Sequence, residues 1–216
     1  MVTAESFWDK TAERYAKSPV KDMAAYEQTL DRTRAWLLPG DRMLEVGCGT
    51  GTTALLLAEK VQEITASDIS ASMIEIARGK AVDQGVSNVN FRQGTLEGSP
   101  LDGGSLGEGP YDVVTAYNFL HLLEDPAAAV ARVRGLLKPE GLFISKTVCL
   151  AGFSFWKRLL VKLLIPVMQL VGKAPYVRFM SVNDVERCMT EAGFEILETG
   201  DYPASPPCRF VVARKR

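Results

Sequence analysis

The sequence has little of several features that would point to a nucleic acid, a metal or a disulfide scaffold. Its 25 lysines and arginines balance 26 acids, so the formal net charge is −1, and no basic field would attract RNA or DNA. The four cysteines form no C-x-x-C pair, and their spacing suggests neither a zinc site nor a disulfide framework. We therefore expect reduced thiols in a cytoplasmic protein, with no bound metal and no nucleic-acid partner.

Long apolar runs are also missing. The most apolar stretch, residues 159–171, is interrupted by Lys162, Pro166 and Gln169, whereas a membrane-spanning helix needs about 20 apolar residues. The N-terminus carries acids from residue 5 and no apolar run typical of a signal peptide. The 216 residues suit one α/β domain with a full core, and the sequence gives no indication of the oligomeric state.

What the sequence does contain is an alternation of β-like runs and helical patterns. Such alternation predicts a parallel sheet with helices on both faces. The predicted strands are 43–46, 63–67, 89–92, 111–116 and 142–148, and the predicted helices between them are 52–60, 71–83 and 126–137. Residues 94–110 read as a glycine-rich loop, and the tail predicts a helix over 182–192 followed by strands at 194–197 and 209–213.

The strongest chemical signal is the segment LEVGCGTG, from Leu44 to Gly51. A predicted strand runs into a glycine-rich turn and then a helix, and glycine lets the backbone approach a ligand closely. Asp68 lies 21 residues after Gly47, at the end of the next predicted strand, where a carboxylate can accept both hydroxyls of a ribose. The pattern therefore predicts a ligand that contains a nucleoside.

Two cofactors of that kind fit a glycine turn, and an acid distinguishes them. The dinucleotide fingerprint G-x-G-x-x-G needs a small third residue, but the spacing here is G-x-G-x-G and Thr52 stands at that position. Glu45, two residues before the first glycine, would repel a pyrophosphate and attract an ammonium group. The turn therefore favours an aminoacyl sulfonium cofactor over NAD.

At these residues the sequence resembles class I S-adenosylmethionine-dependent methyltransferases of the small-molecule type. LEVGCGTG is similar to the family's first motif, and ASDIS, which contains Asp68, is similar to its ribose-binding segment. QGTLE at 93–97, YDVVTAYNFLHLLED at 111–125 and LLKPEGLFISK at 136–146 resemble the later motifs in order. The resemblance implies an α/β, Rossmann-like, seven-stranded sheet of order 3-2-1-4-5-7-6, mostly parallel with the last strand antiparallel.

The resemblance also implies S-adenosyl-L-methionine as cofactor and S-adenosyl-L-homocysteine as product. FWDKTAERY resembles an N-terminal helix of small-molecule methyltransferases, whose Tyr, here Tyr15, reaches the cofactor carboxylate. Many members have Asp where this chain has Thr95, whose hydroxyl would bond the adenine amino group less strongly. The implied cofactor-binding residues are Tyr15, Glu45, Gly47, Cys48, Gly49, Asp68, Ile69, Met73, Thr95, Leu96, Tyr117 and Asn118.

The catalytic part of the site is less marked. His121 is the only histidine in the chain and follows the fourth predicted strand. A neutral imidazole with a pKa near neutrality could take a proton from an acceptor there. The alternative is a polar residue that orients the loop, and Asn118 poses a similar choice.

A basic segment after the fifth predicted strand adds a further feature. On a helix over this segment, Arg158, Lys162 and Gln169 share one narrow polar face, and most of the remaining arc is apolar. A lid over the acceptor site, a weak contact with a membrane surface and plain core packing are the three interpretations. The basic residues of 153–179, which contain no acid, are Lys157, Arg158, Lys162, Lys173 and Arg178.

Together these features predict one methyltransferase domain in four parts. Residues 1–38 would form a helical cap, 39–150 the cofactor-binding core, 151–180 a helical lid, and 181–216 a C-terminal helix and hairpin. We expect methyl transfer to a small, apolar acceptor by in-line displacement, in which the protein aligns the nucleophile and excludes water. A non-catalytic protein that only binds the cofactor is the alternative, and an RNA-modifying methyltransferase is less favoured.

Overall fold

The computed structural model describes residues 3–96 and 109–216, so most of the predicted glycine-rich loop lies outside the described residues. These residues form seven strands and seven α-helices. In chain order they are α1 (Ala4–Lys17), α2 (Met23–Arg34), β1 (Arg42–Val46), α3 (Thr52–Leu57), β2 (Glu63–Asp68), α4 (Ala71–Gln84), β3 (Val89–Gln93), β4 (Tyr111–Tyr117), α5 (Pro126–Leu136), β5 (Leu137–Val148), α6 (Phe155–Leu170), α7 (Val182–Glu191), β6 (Phe194–Ala204) and β7 (Pro207–Lys215).

The strands form a single sheet of order β3-β2-β1-β4-β5-β7-β6. The first five strands pair in parallel, and β7 pairs antiparallel with both β5 and β6. The predicted strand order and the antiparallel seventh strand are therefore confirmed. One buried apolar cluster packs α5 and α7 against the sheet, and a second packs α2, α3 and α4 against its other face.

Local sequence signals explain where several helices begin. Ser70 caps α4 by accepting the Met73 N–H at 3.1 Å, and Pro126 occupies the first turn of α5, where a missing N–H costs nothing. Ser181 and Asp184 cap α7 reciprocally, which satisfies two backbone donors that would otherwise lack partners. These caps place the helix starts within a residue of the predicted positions.

The last three strands are longer than predicted. β5 begins at Leu137 rather than at residue 142, and the hairpin runs over 194–204 and 207–215. Phe194 pairs with Lys215 and Ala204 with Pro207, so the antiparallel partner extends each strand into polar residues. Pairing across strands is a tertiary effect that local apolar patterns do not report.

The helix of the basic segment, α6, does not pack its apolar side into the core. Of the narrow polar face predicted for this helix, Arg158 and Gln169 are half-buried against the rest of the chain. Plain core packing of the apolar arc is therefore wrong, because most of these side chains are exposed, namely Leu159, Leu160, Leu163, Leu164 and Val167. Within residues 3–96 and 109–216, none of the helices combines the length and apolar character needed to span a bilayer.

Candidate functional site

The predicted site residues gather where the parallel strands end. β1 and β4 are neighbours in the sheet, while β2 lies on the other side of β1. The strand order therefore reverses at β1, and the loops that leave β1 and β4 diverge to open a crevice. Ligands bind at this kind of switch point in open α/β sheets.

The turn after β1 depends on glycine. Gly47, Gly49 and Gly51 have φ angles of 69°, 53° and 74°, a left-handed conformation that side chains with a Cβ avoid. A Cβ on Gly47 would lie 2.5 Å from Phe119 Cδ2, and one on Gly51 would lie 2.7 Å from the Phe91 ring. The turn is therefore wedged between two aromatic rings, and its exposed side is bare backbone. Phe119 was not predicted as part of the site.

Asp68 ends β2 and holds this turn in place. Its Oδ2 accepts the Gly49 N–H at 2.9 Å, and its Oδ1 accepts the Ser70 N–H at 3.0 Å. Burial raises the pKa of Asp68 above its ordinary value, although these two backbone donors, together with the Ile69 N–H, act in the opposite direction. Because a carboxylate has about four acceptor sites, capacity remains for a ligand hydroxyl.

Glu45 is the least satisfied acid of the site. It is buried within β1, and its Oε2 has no hydrogen-bond partner among the described residues. Burial, with a further contribution from the negative charge of Asp68, raises the pKa of Glu45 to about 8. A buried acid without a partner destabilises the fold, so this position is suited to a cationic ligand that would take the missing bond.

Helix α1 covers the glycine turn from the outside. A methyl group built on Gly49 would lie 3.9 Å from Tyr15 Cε1, and the Tyr15 ring meets Trp8 edge-on with centroids 6.2 Å apart. Burial and the charge of Asp68 raise the pKa of Tyr15, although half of its surface remains exposed. The structure thus places Tyr15 beside the predicted cofactor site.

Asp9, which the sequence interpretation missed, fixes α1 to the start of α4. Its Oδ1 accepts the Ser70 hydroxyl at 2.6 Å and the Ser72 N–H at 3.1 Å. Partial burial raises the pKa of Asp9, but these hydrogen bonds outweigh it and leave the pKa below its usual value. The only sequence signal was an acid on the N-terminal helix, which by itself says nothing about its partner.

A polar network, also missed by the sequence interpretation, joins α2 to the ends of β4 and β5. The hydroxyls of Tyr117 and Thr33 lie 2.8 Å apart, and the buried Lys146 Nζ donates to Thr29 Oγ1 at 3.0 Å. Burial raises the pKa of Tyr117 and lowers that of Lys146. Thr29 and Thr33 lie four residues apart on the face of α2 that also carries Ala25 and Leu30. Two hydroxyls on an otherwise apolar face are the pattern that could have revealed this network.

The other predicted cofactor residues line the same loops. The Cys48 N–H donates to Ser67 O at 2.9 Å, and burial raises the pKa of the Cys48 thiol. Met73 and Leu96 are buried, while Ile69 and Thr95 are half-buried. Asn118 is exposed at the end of β4 with a φ of 52°, a conformation that Asn tolerates better than most residues.

His121 lies in the 3-10 turn Leu120–Leu122 that follows β4. Its side chain is buried, and its Nδ1 has no hydrogen-bond partner among the described residues. Burial lowers the pKa of His121 to about 4, so the near-neutral pKa expected from the sequence is wrong. The main-chain oxygen of His121 accepts the Arg178 N–H at 2.7 Å, which ties the end of the basic segment to this turn.

Known proteins that are similar to this chain are methyltransferases. A family model described as "Methyltransferase domain" matches residues 13–199. Over 147 residues the chain is 33% identical to the uncharacterized methyltransferase YcgJ of Bacillus subtilis, covering 66% of this chain and 54% of that protein. It is 28% identical over 145 residues to a ubiquinone biosynthesis O-methyltransferase of Haemophilus ducreyi, covering 67% of this chain and 60% of the relative. The chain thus spans little more than half the length of these two relatives.

Among solved structures, the fold is similar to magnesium protoporphyrin IX methyltransferase from Synechocystis PCC 6803 with bound SAH. The TM-score is 0.74 at 21% identity, over 98% of both chains. At this identity the similarity is one of fold, and it covers the helices outside the sheet as well as the sheet itself.

Proposed function

This chain belongs to the methyltransferase-domain family, and we propose that it transfers a methyl group from S-adenosyl-L-methionine to a small, apolar acceptor. The observation that carries the proposal is Glu45, a buried acid with an unpartnered oxygen beside a glycine turn. An ammonium group there would satisfy the acid, whereas a pyrophosphate would be repelled. S-adenosyl-L-homocysteine would be the product.

The residues of the site fit this cofactor. Asp68 accepts backbone N–H groups of Gly49, Ser70 and Ile69, and a carboxylate with about four acceptor sites keeps capacity for a ribose hydroxyl. Gly47 and Gly49 leave room for the aminoacyl part, and Tyr15 would close over it from α1. Bound in this way, the cofactor would supply a methyl group on a positively charged sulfur, which leaves readily because it departs as a neutral thioether. The remaining predicted contacts are Cys48, Ile69, Met73, Thr95, Leu96, Tyr117 and Asn118.

The protein's own contribution to the reaction is position and the exclusion of water. The acceptor nucleophile must lie in line with the methyl–sulfur bond, and fixing that geometry removes a large entropic part of the barrier. We propose that α1 and α2, within residues 1–38, close the crevice above the strand ends. His121, with a pKa near 4, is neutral at physiological pH and too weak a base to contribute much to deprotonation.

Two features support a small, apolar acceptor. The net charge of −1 offers no attraction to a polyanion. Two similar proteins are named for ubiquinone biosynthesis and for magnesium protoporphyrin IX, which are small molecules with large apolar parts and not nucleic acids. We further propose that the protein works in the cytoplasm, where its four cysteines would stay reduced.

Calorimetry and turnover test the two halves of the proposal. The chain should bind S-adenosylmethionine and not NADH, and Asp68→Asn should weaken binding about tenfold or more because charge-assisted bonds are lost. Asp83→Asn, an exposed acid on α4, is the matched control and should bind like the wild type.

For the acceptor, phenols that differ only in alkyl length are compared. The specificity constant should rise about three- to fourfold for each methylene that becomes buried, at about 0.8 kcal/mol each. Binding without turnover on any member of the series would leave a cofactor-binding protein, and a flat series would contradict an apolar acceptor site.

A further inference from the structure

Helix α6 turns its apolar side away from the protein. At about 100° per residue, one continuous apolar arc of the helix and its C-cap has exposed fractions from 41% to 87%. Its members are Leu159, Leu160, Leu163, Leu164, Val167, Leu170 and Val171. Exposed apolar surface on one side of a helix marks a contact with something outside the domain.

The opposite side of α6 is the one that meets the protein. Arg158, Val161, Ile165, Met168 and Gln169 are half-buried and follow one another at helical spacing. A lid that seats its apolar arc on the acceptor site would have the reverse orientation. The exposed arc is therefore directed at a partner, not at the crevice.

Charge identifies the partner. Residues 153–179 contain five basic residues and no acid, in a chain whose net charge is −1. Lys162 is exposed next to the arc, with its Nζ 5.5 Å from the centre of the Phe179 ring, and Lys173 and Arg178 are exposed after the helix. Two copies of such a segment would repel each other, whereas a surface of anionic lipids attracts the exposed cations.

Backbone hydrogen bonds fix both ends of the segment to the domain. Ala151 N–H donates to Met180 O at 3.1 Å, and Arg178 N–H donates to His121 O at 2.7 Å. Both ends of the insertion are thus fixed at the rim where β4 and β5 end.

We propose that α6 is a membrane-docking helix that holds the rim of the site against an anionic lipid surface. The apolar arc enters the boundary between headgroups and acyl chains, and the exposed Lys162 and Lys173 contact the lipid phosphates. The inference does not depend on methyl transfer, since docking requires neither cofactor nor acceptor.

Flotation of the full chain with vesicles tests it. Vesicles of phosphatidylcholine with phosphatidylglycerol should retain the wild type at low salt, and pure phosphatidylcholine vesicles should retain at least tenfold less. Leu160→Gln with Leu163→Gln should lower the partition coefficient about tenfold or more. The matched control is Leu38→Gln with Val82→Gln, which changes two exposed apolar residues elsewhere and should stay within about twofold of wild type.

A second variant separates charge from apolar contact. Lys162→Gln should lower binding to the anionic vesicles about fivefold at low salt, and the difference should disappear at high salt because salt screens exposed charges. Circular dichroism and cofactor affinity confirm that each variant is folded. Absence of vesicle binding by the wild type, or equal loss in the control pair, would overturn the proposal. So would a wild-type dimer that only the α6 variant dissociates, since a second copy would then cover the arc.

Discussion

The substitution Glu45→Gln is expected to remove the loss of unfolding free energy that the cofactor-free protein shows as the pH rises. Glu45 is 2% exposed, and burial raises its pKa to about 8 from an ordinary 4.5. Between these two pH values the folded protein holds a proton that the unfolded chain has released. Stability is therefore greatest below the unfolded pKa and falls as the pH rises toward the folded one.

The size of this effect follows from the pKa difference. Each pKa unit corresponds to about 1.36 kcal/mol, so raising the pH through this window should cost the wild type about 3 to 5 kcal/mol of unfolding free energy. Gln carries no charge at any of these pH values, so the variant should lack this part of the decline. Urea unfolding at several pH values between about 5 and 8 measures the difference between the two proteins.

Cofactor binding should reverse the effect. An ammonium group beside Glu45 favours the ionised acid, so binding below pH 8 releases a proton. The affinity of the wild type should then rise with pH, up to tenfold per unit between about pH 6 and 7.5, while that of Glu45→Gln stays nearly flat. Calorimetry in two buffers of different ionisation enthalpy counts the released protons directly.

The matched control is Glu27→Gln, which removes an exposed acid from α2 and should keep both pH dependences of the wild type. A wild-type affinity that does not change with pH would refute the reasoning, because Glu45 would then already be ionised in the free protein. The same slope in wild type and Glu45→Gln would assign the proton to another group.

Three further predictions concern neighbouring residues. Gly47→Ala should lower the unfolding free energy by about 1–3 kcal/mol, because the left-handed φ and the Phe119 ring both oppose a Cβ. The control Gly40→Ala places its Cβ with nothing within 4 Å and should change the unfolding free energy by less than about 0.5 kcal/mol. Urea unfolding measures both. His121→Gln should lower the thermal midpoint yet change kcat only a few-fold, with the same pH profile; a 100-fold loss of kcat would instead show a general base. Tyr15→Phe should weaken cofactor binding about three- to tenfold by calorimetry through loss of one hydroxyl, and unchanged affinity would place the hydroxyl outside the site.

Most of the fold was predictable because its signals are local. The strand from Arg42 to Val46 and the helix after Ser70 carry their own periodicity, caps and glycine turns. Strand order followed from the family resemblance rather than from any local pattern. The predicted lengths of the last strands were wrong. The residues of β6 up to Ala204 are in a strand only because they pair with β7 beside them.

For the site, the sequence predicted the backbone better than the electrostatics. The glycine turn and Asp68 follow from a motif with fixed spacing, and the structure brings them together. The pKa of His121 could not be predicted, because it depends on how many apolar groups surround the ring. Neither could the pairing of Lys146 with Thr29, whose positions are 117 residues apart.

The orientation of α6 could not be predicted from the sequence either. Periodicity established an apolar arc and a narrow polar face, and both exist in the structure. Which of the two meets the domain depends on the surface that receives the helix. Here that surface accepts Arg158 and Gln169, and leaves residues such as Leu163 outside. A pattern within one helix contains no information about that choice.

The hydrogen bonds around Ser70 link the ribose-binding acid to the N-terminal cap. Asp68 accepts the Ser70 N–H, and the Ser70 hydroxyl donates to Asp9 on α1. Asp9 also accepts the Ser72 N–H, so the first turn of α4 is shared between a site residue and the helix that covers the site. Any ligand that reorients Asp68 changes the surroundings of Ser70, and therefore the hydrogen bonds that hold α1 against α4. Because such coupling is reciprocal, an α1 that is docked through Asp9 should in turn hold Asp68 in the orientation that binds the ribose. Tyr15, on the same helix, would be positioned by the same contact.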